Sequence, residues 1–449
     1  MDMIIKIGIV LIGGIILIKV FKKASGSLSL NKLNLNSMLF YYSMFYFMIG
    51  GSIVFLGFRN HYLIEKLEEE YINKTYIIML YTLIILPVII IMVNKLMKIQ
   101  NYNIFFEKYI SNKTIINYND IDKIFILFLL LTIIGCVAIF YTFYHMGYVP
   151  LLEIFKGNFS IITNRVEISN HFTGNEYVRN ILALGMVPYL SYIIYIYSKI
   201  INTKKWNILF ILLFISSILC KTYNFEKAPI ILYLLFFLII KIILGEKIDI
   251  QKIFKYILIA ICMILFFYYI ISGYTGSLFS LSEGPISRIL ITQVSTLFLH
   301  IQTFPYYHNY LNGASFPYVL SWIFPTEDYG VRSGKIVMQL YNSAGVENGN
   351  AGVMNTLYIG EAYANFGIIG IIIAPIIVGF IIAFVSNIIL KQKKDPINIG
   401  LYIIIMNIYT ASFVGGFVDY IYSSLGIIIL MIIISIKIIV NNGKIKIYI

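Results

Sequence analysis

The segment NTLYIGEAYANFGIIGIIIAPIIVGFIIAF, residues 355–384, decides the fold class of this chain. From Phe366 onward nearly every side chain is apolar as far as residue 390, a run long enough to cross a bilayer as a helix. Just before that run the segment carries a carboxylate at Glu361 and an amide at Asn365. Because a charge that faces lipid costs free energy, we expect Glu361 to face the bundle interior, an arginine or a wet cavity.

Apolar runs of this kind recur along the whole chain. The 449 residues are 59% hydrophobic and 12% charged, and the mean hydropathy is +0.86. Backbone groups in lipid must form hydrogen bonds within their own segment, so the expected fold is all-α, a polytopic membrane bundle with about 11 transmembrane helices. The predicted spans are 3–21, 38–58, 76–97, 124–146, 180–199, 207–220, 229–244, 253–273, 366–390, 397–416 and 420–438.

Lysines mark every second connection between the predicted spans. They follow spans one, three, five, seven and nine and close the chain, as the positive-inside rule requires of cytoplasmic loops. The net charge of +13 is therefore interpreted as a topology signal and a membrane-surface contact, and not as a sign of nucleic-acid binding. The three cysteines, Cys136, Cys220 and Cys262, fall inside apolar runs and imply no disulfide framework.

Two outer loops are long, at about 147–179 and 274–355. The second contains ISRILITQVSTLFLHIQTFP, residues 286–305, an apolar stretch interrupted by polar side chains. Treating this stretch as a full span would break the lysine alternation, so we expect a re-entrant or interfacial helix on the outer side. Since no repeat and no soluble domain are evident, residues 1–449 are expected to form a single integral membrane domain.

The arginines are distributed differently from the lysines. The chain has 29 lysines and 5 arginines, and all five arginines map to the predicted outer side, at Arg59, Arg165, Arg179, Arg288 and Arg332. A planar guanidinium holds an oxyanion with two parallel hydrogen bonds, which lysine cannot do. The group therefore indicates an anionic ligand at the membrane surface, such as a lipid pyrophosphate or an acidic sugar. Arg59 borders the acidic run EKLEEEY, residues 65–71, so a surface ion pair explains it well enough.

Glu361 and Asn365 are four residues apart and so share one helix face. Two roles stay open for Glu361: a structural salt bridge, for instance to Arg288 or Arg332, and an acid or base in a cavity. Asp419, which follows SFVGGF at the outer end of the last span, is a second candidate for the same cavity.

Other chemical motifs are mostly missing from the sequence. It contains no GxxxxGK[ST] loop, no HExxH and no GxSxG, and no two histidines have metal-ligand spacing, so neither a metal nor a cofactor is expected. Asp120 and Asp122 in YNDIDK are interpreted as a solvated cytoplasmic loop. Lys227 precedes the first turn of a span, where it either snorkels to water or binds a phosphate at the helix N-terminus.

The chain resembles the bacterial oligosaccharide repeat-unit polymerases of O-antigen and capsule synthesis, the Wzy type. The resemblance covers nearly the full chain and rests on the layout of spans and outer loops and on two stretches, FEKAPIIL at 225–232 and NTLYIGEAYANFGIIGIIIAPIIVG at 355–379. Its most specific piece is GEAYANFG. The resemblance implies a metal-independent membrane glycosyltransferase of the bacterial inner membrane, with its active site facing the periplasm or exterior.

Such an enzyme moves a growing glycan from its polyprenyl (undecaprenyl) pyrophosphate carrier to a lipid-linked repeat unit, and a chain-length regulator is a candidate partner. The resemblance assigns pyrophosphate binding to the outer-loop arginines Arg165, Arg179, Arg288 and Arg332, with Lys227 before its span and Lys335 as a weaker candidate. Three residues compete as the general base: Glu361, Asp328 and His308. Alternatives are a lipid-linked oligosaccharide flippase, another transporter such as a secondary transporter of small anions, and an O-antigen ligase, which uses the same donor.

Overall fold

The computed structural model describes residues 2–157, 172–224, 227–246, 248–249, 276–347 and 351–440, with isolated residues between 251 and 265. The described residues form helices and connecting turns, and contain no strand. The helices are α1 Met3–Ser25, α2 Leu35–Phe55, α3 Glu69–Leu96, α4 Tyr102–Ser111, α5 Ile121–Met146, α6 Pro150–Phe155, α7 Val178–Ile201, α8 Lys204–Lys221, α9 Lys227–Ile243, α10 residues 284–303, α11 Ser333–Tyr341, α12 Ser343–Glu347, α13 Tyr358–Lys391, α14 Pro396–Gly415, α15 Val418–Ile421 and α16 Ser424–Val440.

The prediction of an all-helical, multi-pass membrane fold is confirmed. Eight segments of the described chain are long and apolar enough to cross a membrane: α1, α2, α3, α5, α7, α13, α14 and the pair α15–α16. The predicted spans 207–220 and 229–244 correspond to α8 and to the shorter apolar α9. The span predicted at 253–273 lies almost wholly outside the described residues, so the count of about 11 is not confirmed.

The chain divides into two compact units, each built from discontinuous segments. Unit 1 contains residues 1–105, 274–387 and 407–423, and unit 2 contains residues 106–273, 388–406 and 424–449. This division does not test the prediction of a single membrane domain, which stays a prediction. Glu361, Asn365 and Asp419 all belong to unit 1.

Helix α10 lies at the centre of unit 1. It passes so close to α2 that a Cβ on Gly50 would lie 1.6 Å from the carbonyl oxygen of Leu290, so only glycine permits this helix approach. Every residue from Val294 to Thr303 is buried. The helix predicted at 286–305 is thus present, and its re-entrant or interfacial placement stays a prediction.

Unit 2 is an aromatic-rich packing of α5, α7, α8 and α9. Trp206 of α8 is fully buried and stacks on Tyr197 of α7, with 4.7 Å between ring centroids. In a loop predicted to be cytoplasmic, Lys394 donates hydrogen bonds from Nζ to the carbonyl oxygens of Ile110 at 2.6 Å and Asn112 at 2.8 Å. Burial lowers the pKa of Lys394 to about 8. This lysine therefore ties the loop between α13 and α14 to the end of α4, in addition to any role in topology.

Candidate functional site

Glu361 lies on a short helical arm that is set off from the rest of α13 by a break at Gly367. Gly367 has φ 58° and ψ −136°, a backbone conformation that L side chains rarely adopt. The two arms meet at a sharp bend, which brings residues 362 and 370 together: a Cβ on Gly370 would lie 2.1 Å from the carbonyl oxygen of Ala362. In an unbroken helix, residues eight apart are separated by about 12 Å along the axis. The predicted span 366–390 begins at this break, and Glu361 precedes it.

The side chain of Asn365 holds the long loop at residues 311–315 against this arm. Its Nδ2 donates to Ser315 Oγ at 2.9 Å and to the carbonyl oxygen of Glu361 at 2.8 Å. Its Oδ1 accepts from the backbone N–H groups of Gly313 at 3.2 Å and Ser315 at 3.4 Å. The backbone N–H groups of Leu311 and Asn312 donate to the carbonyl oxygens of Ala364 and Asn365, at 2.9 and 3.0 Å. Carbonyls at the end of the arm are therefore satisfied by protein.

The carboxylate of Glu361 faces the turn between α14 and α15. Glu361 Oε2 accepts a hydrogen bond from the backbone N–H of Val418 at 3.0 Å, and Glu361 is only 8% exposed. A Cβ on Gly416 would lie 2.3 Å from this oxygen, so the turn admits the carboxylate only because residue 416 is glycine. Asp419, one residue beyond Val418, is half-buried and interacts electrostatically with Glu361. Two carboxylates therefore face one small region of unit 1.

Arg332 supplies the positive charge in this region. It interacts electrostatically with both Glu361 and Asp419. Its side chain is exposed, and its guanidinium forms no hydrogen bond or ion pair with the residues that the structure describes. An exposed guanidinium without a described hydrogen-bond partner can bind an anionic group on a ligand.

The start of α11 fixes the backbone position of Arg332. Ser333, the next residue, is buried, and its hydroxyl lies 3.3 Å from Nε2 of His300 in α10. Nδ1 of His300 lies 2.7 Å from the carbonyl oxygen of Thr296, so Nδ1 carries the proton and Nε2 accepts from the serine hydroxyl. The buried helix α10 thus holds the end of α11 from which Arg332 projects.

A second cluster of polar side chains surrounds Tyr363 on the same arm. The Tyr363 hydroxyl accepts hydrogen bonds from Lys74 Nζ and from the Tyr310 hydroxyl, each at 3.4 Å. Burial, followed by the contact with Tyr363, raises the pKa of Tyr310 to about 12, so its phenol is neutral at pH 7. The sequence interpretation missed Lys74, although a lysine shortly after the start of a membrane helix was an available signal.

The other predicted arginines do not all join this region. Arg288 is exposed at the opposite end of α10 from His300, about 18 Å away along a helix axis, and it interacts electrostatically with Tyr62. Arg59 pairs with Glu69 at 2.6 Å, which confirms the ion pair expected with the acidic run. Arg165 lies outside the described residues.

Arg179 belongs to unit 2 and is engaged by its own neighbours. It is 5% exposed, and its guanidinium lies over the rings of Phe172 and Tyr223, at 4.5 and 5.7 Å from their centroids. It also donates to the Tyr223 hydroxyl at 3.2 Å and lies 3.6 Å from a carboxylate oxygen of Glu176. These contacts give Arg179 a packing role, and its assignment to pyrophosphate stays a prediction.

Most of the remaining predicted site residues have exposed side chains, and the side chain of one of them is not described. Asp328 and Lys335 are both exposed. His308 is exposed, with Nδ1 2.8 Å from the carbonyl oxygen of Asn309. The backbone of Lys227 begins α9, and the position of its side chain lies outside what is described. No group of three or more His, Cys, Asp or Glu side chains suited to a metal ion occurs in the described part of the chain.

We expect Gly367→Ala to destabilise the protein, because alanine is strained at this φ and its Cβ would lie 3.0 Å from the Tyr310 ring. The expected cost is about 1–3 kcal/mol. Thermal unfolding in detergent measures it, with Gly8→Ala as the control, since a Cβ there meets nothing within 4 Å. Equal unfolding temperatures for the two variants would contradict the claim that the break in α13 requires glycine at residue 367.

Comparisons with known proteins return no relatives for this chain. No protein-family model matches it, and neither a curated protein nor a solved structure matches it.

Proposed function

We propose that this protein is a polysaccharide repeat-unit polymerase that joins lipid-linked oligosaccharides on the extracytoplasmic side of a bacterial inner membrane. The observation that carries the proposal is the buried carboxylate of Glu361 at the 416–418 turn of unit 1, which interacts electrostatically with Asp419 and with the exposed Arg332. This arrangement supplies an acid or base together with a cation whose backbone is anchored at the start of α11, which suits glycosyl transfer from a diphosphate donor.

In the proposed reaction, a hydroxyl oxygen of the acceptor sugar forms a bond to the anomeric carbon of the donor glycan. The bond from that carbon to the polyprenyl diphosphate oxygen breaks, and the diphosphate leaves with the bonding electron pair. The proton of the acceptor hydroxyl passes to the carboxylate of Glu361, acting as general base. Asp328 and His308 stay competitors for this role, although neither has a described contact with the group around Glu361.

Arg332 acts on the leaving group in this proposal. Negative charge grows on the diphosphate as the bond breaks, and the Arg332 guanidinium, once it binds the diphosphate, stabilises that charge more in the transition state than in the ground state. The assignments of Arg288, Lys335, Arg165, Arg179 and Lys227 to pyrophosphate stay predictions from the sequence. Lysine-rich loops on the other side of the membrane would contact anionic lipid headgroups.

One observation favours a transporter as the second candidate. Transporters often place their substrate sites at discontinuous helices, and α13 is discontinuous at Gly367. A flippase for lipid-linked oligosaccharides uses the same class of substrate without forming a new glycosidic bond. An O-antigen ligase would form a bond, but to an acceptor that is not a diphosphate-linked repeat unit.

Purified protein in vesicles that contain lipid-linked repeat units separates these functions. The polymerase proposal predicts a ladder of glycans that differ by one repeat unit and remain attached to the lipid diphosphate. Movement of repeat units across the bilayer with no new bond would favour the flippase, and transfer only to an added non-diphosphate acceptor would favour the ligase. Either of these results would contradict the proposal.

A further inference from the structure

Lys74 and four tyrosines form a surface that the proposed chemistry does not use. Lys74 lies on α3, with its Nζ over the rings of Tyr71 and Tyr363, 6.0 and 5.7 Å from their centroids. Tyr310 meets Tyr363 edge to face at 5.7 Å, and Tyr306 meets Tyr71 in the same way at 5.6 Å. We call Tyr71, Lys74, Tyr306, Tyr310 and Tyr363 the tyrosine platform.

The tyrosine platform is held in place on one side and open on the other. Tyr71 and Tyr363 are buried at 7% and 1% exposure, whereas Tyr306 is 71% exposed and Lys74 is also exposed. Tyr306 therefore presents an aromatic ring to ligand while its edge contact with Tyr71 limits its motion. A rigid base with one open ring suits a ligand that has a flat apolar face.

The charges around the tyrosine platform are mixed. The Tyr307 hydroxyl donates to Glu68 Oε1 at 3.1 Å, and Glu70 precedes Lys74 by one helical turn. One cation, several phenol hydroxyls and two carboxylates therefore act on the same region. A net anion gains little from such a surface, whereas a saccharide offers hydroxyl groups that both donate and accept, together with apolar ring faces.

We propose that the tyrosine platform is a saccharide subsite, which binds sugars of the glycan at a distance from the bond being formed. The inference deepens the proposed function and rests on it for the identity of the glycan. Tyr363 and Glu361 are two residues apart on the same arm, so the platform and the acid lie on different faces of a helix about 10 Å in diameter. An oligosaccharide of a few sugars is long enough to reach from one face to the other.

Glycan binding without the lipid donor tests this subsite separately from polymerisation. The probe is an array of soluble, lipid-free oligosaccharides from bacterial surface polysaccharides, applied to the detergent-purified full chain. We expect wild type to bind at least one neutral oligosaccharide, and to retain that binding at high salt because the contact is not a net ion pair. Tyr306→Ala is expected to weaken it about tenfold, while Tyr306→Phe, which keeps the ring, retains it.

Two matched controls accompany these variants. Trp322→Ala removes a ring that is 79% exposed in the same outer loop but outside the platform, and it is expected to bind as wild type does. Lys74→Gln is expected to weaken binding, whereas Lys95→Gln, an exposed lysine at the other end of α3, leaves it unchanged.

The subsite is overturned if wild type binds no oligosaccharide on the array, or if Tyr306→Ala and Trp322→Ala bind equally well. The subsite would also be overturned if the protein bound only acidic glycans and lost them at high salt. Lys74 would then simply attract anions, or would lie at the membrane interface. A ladder of polymer in the vesicle assay together with no effect of Tyr306→Ala on binding would remove the subsite and leave the polymerase proposal standing.

Discussion

Glu361→Gln is expected to lower the rate of glycan polymerisation by about 10²–10⁴-fold, the range that general-base catalysis contributes. Glutamine has the shape of glutamate, and its carbonyl oxygen still accepts from the Val418 N–H that Glu361 Oε2 contacts at 3.0 Å. The turn at residues 416–418 is therefore expected to keep its structure. Only the ability to take a proton is lost, so the fall should appear in kcat rather than in donor binding.

The control for this variant is Glu347→Gln. Glu347 is an exposed acid of α12 in the same unit, and its replacement removes the same charge elsewhere. We expect it to polymerise at the wild-type rate. If Glu361→Gln folds, binds donor and still forms product at the wild-type rate, Glu361 is a structural acid and the base lies elsewhere, with Asp328 and His308 as the next candidates.

Arg332→Lys is expected to reduce kcat/KM by about 10–100-fold. Lysine keeps the positive charge but loses the planar pair of donors that holds two oxyanion oxygens, and a hydrogen bond to a charged group is worth about 1.5–3 kcal/mol. Because Arg332 is exposed at the start of α11, the substitution is expected to leave thermal stability unchanged. Initial rates of repeat-unit addition at several donor concentrations measure the effect.

Arg59→Lys provides the matched comparison. Arg59 belongs to the same unit, but its guanidinium is engaged by Glu69 at 2.6 Å and by the carbonyl oxygen of Phe58 at 2.8 Å. We expect this variant to retain the wild-type kcat/KM. Similar losses for Arg332→Lys and Arg59→Lys would mean that any arginine of the predicted outer side has this effect, and would contradict a specific role for Arg332 at the diphosphate.

Features that depend on local composition could be predicted from the sequence. Apolar runs predicted the helical membrane fold, since lipid leaves the backbone few alternatives. The acidic run at residues 65–71 predicted the partner of Arg59, because the two are close in the chain. For Glu361 the sequence predicted the bundle interior, an arginine or a wet cavity. The structure buries its carboxylate at the 416–418 turn, where it interacts electrostatically with Asp419 and Arg332.

Features that depend on pairings distant in sequence could not be predicted. A glycine in an apolar run is as common in a straight helix as at a break, so nothing in GEAYANFG distinguishes Gly367 from Gly360. The contact between Lys74 and Tyr363 joins two helices far apart in the chain. The arginines of the predicted outer loops look alike in sequence, yet Arg179 lies over two aromatic rings whereas Arg332 is exposed.

The central claim is that Glu361 and Arg332 act together in one glycosyl-transfer site, and a double-mutant cycle tests it most directly. The rate of ladder formation from lipid-linked repeat units is measured for wild type, Glu361→Gln, Arg332→Lys and the double variant. The account predicts that the loss in the double variant differs from the product of the two single losses by a coupling of about 0.5–3 kcal/mol. Losses that simply multiply, or a wild type that forms no new glycosidic bond, would contradict it.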